Sequence, residues 1–535
     1  MMLTLTLTTQ TENDPPRMVD LKSSKLWMAG LQLTNAPVAH IEIIQQLTLL
    51  NHYKMPSRER LKIVEQLRET IVYIQVEMAK KYEGKAAPLG AAEKQVWDSV
   101  CKLWQALEVA YQHCLQSCLE GDAGVIEHVA LITQRCLRCT GLLMLEHYRI
   151  YRQVEEKLWQ QLHGIYAYAE TCGYAEQAVK DSLNTLSDAS SCVAVYVQTI
   201  LMSLANPYQF SSKQINLLDR WLDKWGARVQ ITATAPAASA LPGMVVTLNG
   251  TENILPAGSG NQRYLDTKRL SDGLRKRIKF LRNGGSPAEL DIGKGCSQPG
   301  CENFMTLLHK QWCEMPASRT WERRHSDAMA QVCFGMPAMH FFINDKKPFE
   351  TVGKSANLDW KAAQELQMFG RISEKSVDLR AEQLGFTLES WQIQNESASG
   401  FCLMRQVHGL DRIRHNQMMA IKPEGSRQFV LGVVCWITLT IFEELVLGIR
   451  VLPGIPVAIG VKAIEFHHLG QSKLLQALML PKVAALHAEP SLILTNGWFQ
   501  PDKMLEAQTP AVQTMKLQAL LEKGCDYERV SFIPV

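Results

Sequence analysis

The spacing of apolar positions changes period partway along the chain. From Val38 to about Trp225 they recur at intervals of three and four, the signature of helices that each bury one face. The clearest stretch is Arg58 to Tyr82, RERLKIVEQLRETIVYIQVEMAKKY, which opens after Pro56 and Ser57 and stops at Gly84. Further helical segments are predicted near 91–120, 124–150, 151–169, 173–187, 190–205 and 211–225. No fixed repeat length emerges, so the pattern supports a helical bundle or an irregular α-solenoid. From about Trp391 the period falls to two. Strand-like runs at 391–394, 400–406, 416–422, 427–440 and 445–452 are divided by Gly, Pro, Asn and Asp turns, which predicts a compact β barrel. A second set, at 475–480, 491–494, 503–507, 514–521 and 529–533, predicts a further small β domain.

Between these regions the composition is mixed. Two β-like runs, Ala227 to Thr234 and Met244 to Leu248, precede a basic helix expected from about Asp266 to Arg282. A glycine-rich loop with two cysteines and the stretch CFGMPAMHFFIN follow. The expected architecture is therefore multidomain α+β: an irregular leader over 1–35, an all-α helical domain over 36–226, a small α+β middle domain over 227–350, a β barrel over 366–461 and a second small β domain over 462–535. A chain of 535 residues is long enough for several such cores.

Composition adds constraints without naming a partner. With 46% hydrophobic and 20% charged residues the chain reads as an ordinary globular protein, and its net charge of +3 selects no class of ligand. The 14 cysteines are irregularly spaced, and the amino-terminal MMLTLTLTTQTENDPP lacks a basic start followed by an apolar core, so reduced thiols in a cytoplasm are expected. The most apolar run, FVLGVVCWITLTIF at 429–442, has 14 residues, fewer than the roughly 18 to 20 that span a bilayer; it is rich in β-branched residues and reads as a buried strand.

The run WQIQNESASGFCL, from Trp391 to Leu403, sets a polar N-x-S-x-x-G turn between two strands. Asn and Ser bond nearby backbone and Gly accepts positive φ, so such a turn can simply reverse the chain. It can also offer amide, hydroxyl and bare backbone to a ligand. Upstream lies Arg371-Ile-Ser-Glu-Lys375, and downstream lie FVLGVVCWI and LVLGIRVL. In this order, over about 95 residues, the three pieces resemble a PilZ domain, the bacterial β barrel that binds cyclic di-GMP: N-x-S-x-x-G matches the family's [D/N]-x-S-x-x-G, and RISEK stands where the family carries R-x-x-x-R. The resemblance implies a cyclic di-GMP site made by Arg371, Lys375, Asn395, Ser397 and Gly400. Arg suits phosphate and guanine through paired N–H donors and stacking. Lys375 departs from the family's second Arg, keeping the charge and losing the planar fork.

Other constellations have plainer readings. Cys114, Cys118, Cys136 and Cys139 form C-x3-C and C-x2-C pairs that could in principle close on zinc, but both pairs lie at helical positions where Cys packs as a small apolar residue; no metal is expected there, nor at Cys296 and Cys301. RYLDTKRLSDGLRKRIKFLR collects Arg263, Lys268, Arg269, Arg275, Lys276, Arg277, Lys279 and Arg282 on what reads as a solvated helix face, with nucleic-acid binding as the lesser alternative. No P-loop, G-x-S-x-G, H-E-x-x-H or Rossmann glycine pattern occurs, so no catalytic residue is expected. The resulting expectation is a signalling receptor, not an enzyme, that takes cyclic di-GMP as regulatory ligand and acts on a protein partner without entering the membrane. The rival reading is a PilZ-like scaffold that binds proteins and no nucleotide.

Overall fold

The computed structural model describes residues 3, 5–184, 189–234, 244–248, 261–290, 292, 295–298, 300–314, 321–349, 364, 367–368, 381–405, 411–464, 474–508 and 512–535. Two compact units emerge, one of residues 1–85 and 89–318, the other of 86–88 and 319–535.

The first unit is helical. Its helices are α1 (Leu21–Ala29), α2 (Ala36–His52), α3 (Ser57–Ala79), α4 (Ala91–Leu119), α5 (Val129–Arg149), α6 (Glu156–Thr171), α7 (Cys192–Leu204), α8 (Ser212–Trp225), α9 (Lys268–Arg282) and α10 (Gly300–Cys313). The expected periodic stretches become α3 to α8 with one exception. Over 173–187 the described residues form no helix, and Val179–Lys180 instead pairs with Ala189–Ser190. Asp181 explains the departure. It is fully buried, with Arg68 Nη2 at 2.6 Å, so the segment folds inward to satisfy two arginines of α3 and α5. The leader is also more ordered than expected. Asp20 caps α1 by accepting from Ser23 N at 2.7 Å, Met18 is fully buried, and Thr6 N donates to Gln112 Oε1.

The middle region is not a domain of its own. Gln262–Asp266 pairs with Gln230–Thr232 and Met244–Thr247, and Leu265, Leu274 and Met305 join the same apolar core as the helices. Trp221 donates to Ile292 O and Trp312 to Leu201 O, which fastens this part to α8 and α7. Arg263 lies on a strand, not on the basic helix, and pairs with Glu170. Cys296 and Cys301 are joined as a disulfide, with Cα atoms 5.4 Å apart, so the expectation that every cysteine is a free thiol fails at this loop. Cys114, Cys118, Cys136 and Cys139 are all buried in the helical core. Among the described residues no group of three or more potential ligands could hold a metal ion, and no helix is long and apolar enough to cross a membrane.

The second unit holds two closed antiparallel barrels. The first comprises β1 (Met329–Phe334), β2 (Glu389–Ser397), β3 (Gly400–Arg405), β4 (Met418–Pro423), β5 (Val430–Leu439) and β6 (Leu445–Val451), and β2 pairs with β3 to close the ring β1-β2-β3-β6-β5-β4. The second comprises β7 (Val457–Ala463), β8 (Leu475–Leu480), β9 (Ser491–Thr495), β10 (Met504–Gln508), β11 (Val512–Lys523) and β12 (Tyr527–Pro534), in the order β7-β8-β9-β12-β11-β10. The two barrels thus share one strand order. The expected boundaries shift accordingly: β1 belongs to the first barrel although it falls within 227–350, and β7 belongs to the second although it begins before 462. A short helix, α11 (Met336–Ile343), shares an apolar core with both barrels.

Candidate functional site

The N-x-S-x-x-G turn joins β2 to β3. Ser397 pairs with Gly400 across it, and the Ser397 hydroxyl lies 3.4 Å from Gly400 O and 3.5 Å from the Ser399 hydroxyl. Gly400 is needed for close approach, because a Cβ there would sit 2.1 Å from Ile449 O on β6. Its requirement is therefore met by the barrel itself, whatever binds outside.

Register then assembles a face. Gln394 is the extra residue of a bulge, so Ile393 pairs with Leu403 while Asn395 pairs with Cys402. Cys402 in turn pairs with Gly448, and Gly448 with Trp436, which gives the cross-strand row Asn395, Cys402, Gly448, Trp436. The next row on that face is Ser397, Gly400, Arg450. Leu403 and Leu447 point the opposite way and are fully buried, whereas Cys402, Met404 and Val446 form a separate small cluster with Trp436. The Trp436 ring covers Gly448 so closely that any side chain there would collide with it. Asn395 and Ser397 are half-buried.

The structure adds a basic segment that the motif comparison missed. Arg324 pairs with Glu396 and His325 with Asn395, so the chain just before β1 runs beside the turn. Alternation puts Arg323 on the same face as His325 and Asn395. Electrostatics agrees: burial raises the Cys402 thiol and the charge of Arg323 opposes that rise. Arg323 and Arg324 are both exposed. The sequence signal was available, since Arg319-Thr-Trp-Glu-Arg323 is itself R-x-x-x-R and leads straight into a strand. Arg319 lies outside the described residues, as do Arg371 and Lys375. The structure therefore brings together Asn395, Ser397 and Gly400 with Arg323 and Arg450. The basic helix α9, by contrast, belongs to the first unit, where Arg282 pairs with Glu302 at 2.7 Å.

Comparison with known proteins yields three family profiles. "Cyclic-di-GMP receptor FimW, N-terminal domain" matches residues 22–237, "Cyclic-di-GMP receptor FimW, middle PilZ domain" matches 252–384, and "FimW C-terminal beta-barrel domain" matches 459–535. A curated relative, the cyclic-di-GMP receptor FimW of Pseudomonas aeruginosa, is 21% identical over 524 residues, spanning 89% of this chain and 83% of the relative. The C-terminal match coincides with the second barrel. The PilZ match takes in β1, but it ends before β2 and so stops short of the N-x-S-x-x-G turn; the barrel is completed by strands downstream of the matched stretch. Helical unit, PilZ-type barrel and second barrel follow one another in the order of the three profiles, so the chain is similar to these FimW proteins in domain order and carries a match to their PilZ domain.

Proposed function

We propose that this protein is a receptor that binds cyclic di-GMP on the outer face of the first barrel, at the Asn395–Gly400 turn, and passes the signal to a protein partner. The observation that carries the reading is the register of Arg324 against Glu396 and of His325 against Asn395, which sets an exposed arginine segment along the polar turn. A cyclic dinucleotide brings two phosphates and two guanines. Guanidinium groups grip both through paired N–H donors, while Asn395 and Ser397 offer an amide and a hydroxyl at the same face. The likeness to a relative described as a cyclic-di-GMP receptor supports the choice of ligand. The chemistry asked of the site is recognition, with no bond made or broken.

Two basic pairs compete for the role of clamp. Arg371 and Lys375 follow the family motif as the sequence offers it, whereas Arg323 adjoins the paired segment Arg324–His325 and has Arg319 four residues before it in the sequence. The register favours Arg323. Isothermal titration of the full chain should give micromolar binding or better, about 8 kcal/mol. Asn395→Ala and Arg323→Ala should weaken it at least about tenfold, in line with the loss of a charge-assisted hydrogen bond, whereas Arg371→Ala should leave it unchanged. If instead Arg371→Ala abolishes binding and Lys375→Arg tightens it, RISEK is the clamp. No heat and no melting shift at millimolar nucleotide would leave the protein-binding scaffold as the better reading.

A further inference from the structure

Another cation shares the face of the turn. Arg450 pairs with Gly400 in register, and its side chain is 44% exposed. It is not free: its Nη2 lies 2.5 Å from Glu522 Oε1, on β11 of the second barrel. That same carboxylate oxygen accepts from the Tyr527 hydroxyl at 2.7 Å. The ion pair therefore spans the two barrels within one residue pair of the proposed nucleotide site. A half-exposed pair of this kind is worth little in water, and a phosphate with two oxygens matched to the guanidinium fork can displace a carboxylate that holds one edge. Glu522 keeps a partner in Tyr527 when Arg450 leaves, so release does not strand a buried charge.

We infer that Arg450 is a further anion-binding residue of this site, held by Glu522 until a phosphate arrives, and that nucleotide occupancy thereby loosens the end of β11 from the first barrel. The inference rests on the receptor reading above. Other bonds between the barrels, such as Met418 N to Asp526 Oδ1 at 3.0 Å and Cys525 N to Asn416 O at 2.9 Å, do not involve Arg450, so the change is local and the barrels stay docked.

The test uses the full chain, isothermal titration with cyclic di-GMP, and hydrogen exchange across 512–523. Glu522→Gln removes the competing charge and keeps an acceptor for Tyr527; it should tighten binding about fivefold, the scale of an exposed ion pair. Arg450→Ala should weaken binding at least about tenfold, the scale of a charge-assisted hydrogen bond, and Arg450→Lys should fall between, with unchanged melting temperatures as the control on folding. In the wild type, nucleotide should speed exchange at the end of β11, and in Glu522→Gln that exchange should already be fast without nucleotide. A wild type that binds while both Arg450→Ala and Glu522→Gln keep its affinity overturns this inference and leaves the receptor reading intact. Absence of binding in the wild type and in every variant overturns both.

Discussion

Glu108 on α4 shows how one buried carboxyl sets a pH dependence. It accepts from Thr140 Oγ1 at 2.5 Å and from the Gln161 amide, and it is almost fully buried. Burial pushes its pKa up to about 7 against the opposing pull of the hydrogen bonds from Thr140, Gln112 and Gln161. In the unfolded chain the same group titrates near 4.3. Between those values the native state holds a proton that the unfolded state lacks, so the stability this group contributes is fully present below about pH 4.3 and is lost as pH rises through 7. Glu108→Gln keeps the shape and most of the hydrogen bonding and removes the titration. The variant should lack the fall that costs the wild type about 4 kcal/mol across that window. Denaturant unfolding at several pH values measures it, and equal slopes for the two proteins would disprove the assignment. Gly400 illustrates a different lesson at this scale, since the residue that looked like ligand clearance answers first to the Ile449 carbonyl.

Among the elements, α11 reaches the core of both barrels. In eight residues it buries Met336, Met339, Phe341 and Phe342, in a core that includes Met418 and Leu431 of the first barrel and Leu478 and Ile493 of the second. Phe341→Ala should cost about 3 to 5 kcal/mol, because the cavity opens where neither barrel can close over it. Thermal melting should still show a single transition for the two barrels, shifted downward, and a loss below about 1 kcal/mol would mean that the helix is only a lid. The sequence made some elements plain and hid others for a physical reason. Strands β2 to β6 and β8 to β12 were readable because each is a short run rich in apolar and β-branched residues set between turn residues. Strand β1 was not, since its partners β2 and β4 lie far along the chain and its MAQVCF runs through Gly335 straight into α11 rather than into a hairpin partner. The same distance hid part of the candidate site. Asn395, Ser397 and Gly400 are contiguous and could be recognised as one motif. Arg450 joins them only through strand pairing, which no local spacing encodes, and Arg323 closes a legible R-x-x-x-R but is set beside them only by the pairing of the segment that follows it.

At the scale of the whole molecule, the division at about residue 318 decides which piece can stand alone. The boundary expected from the sequence starts the first barrel at 366, after β1 and α11. In the structure β1 makes five register pairs with β4 and four with β2, and Ala330, Val332 and Cys333 are buried. Without it the first barrel is an open sheet with two bare edges, a template for aggregation instead of a closed surface. Without α11 the core shared by the barrels loses Met336, Met339, Phe341 and Phe342 as well. A fragment spanning 319–535 retains all twelve barrel strands and lacks only Ala86–Pro88, whose contribution is the bridge of Ala87 to Ile413 and the carbonyls that accept from Arg412. That fragment should therefore unfold in one cooperative step and bind cyclic di-GMP with the affinity of the full chain. A fragment spanning 360–535 should give at most one folded barrel, the second, with aggregation and no nucleotide binding. Calorimetry and titration on the two fragments separate these outcomes. A cooperative, nucleotide-binding 360–535 fragment would mean that β1 and α11 are dispensable and that the site does not depend on the Arg323 segment.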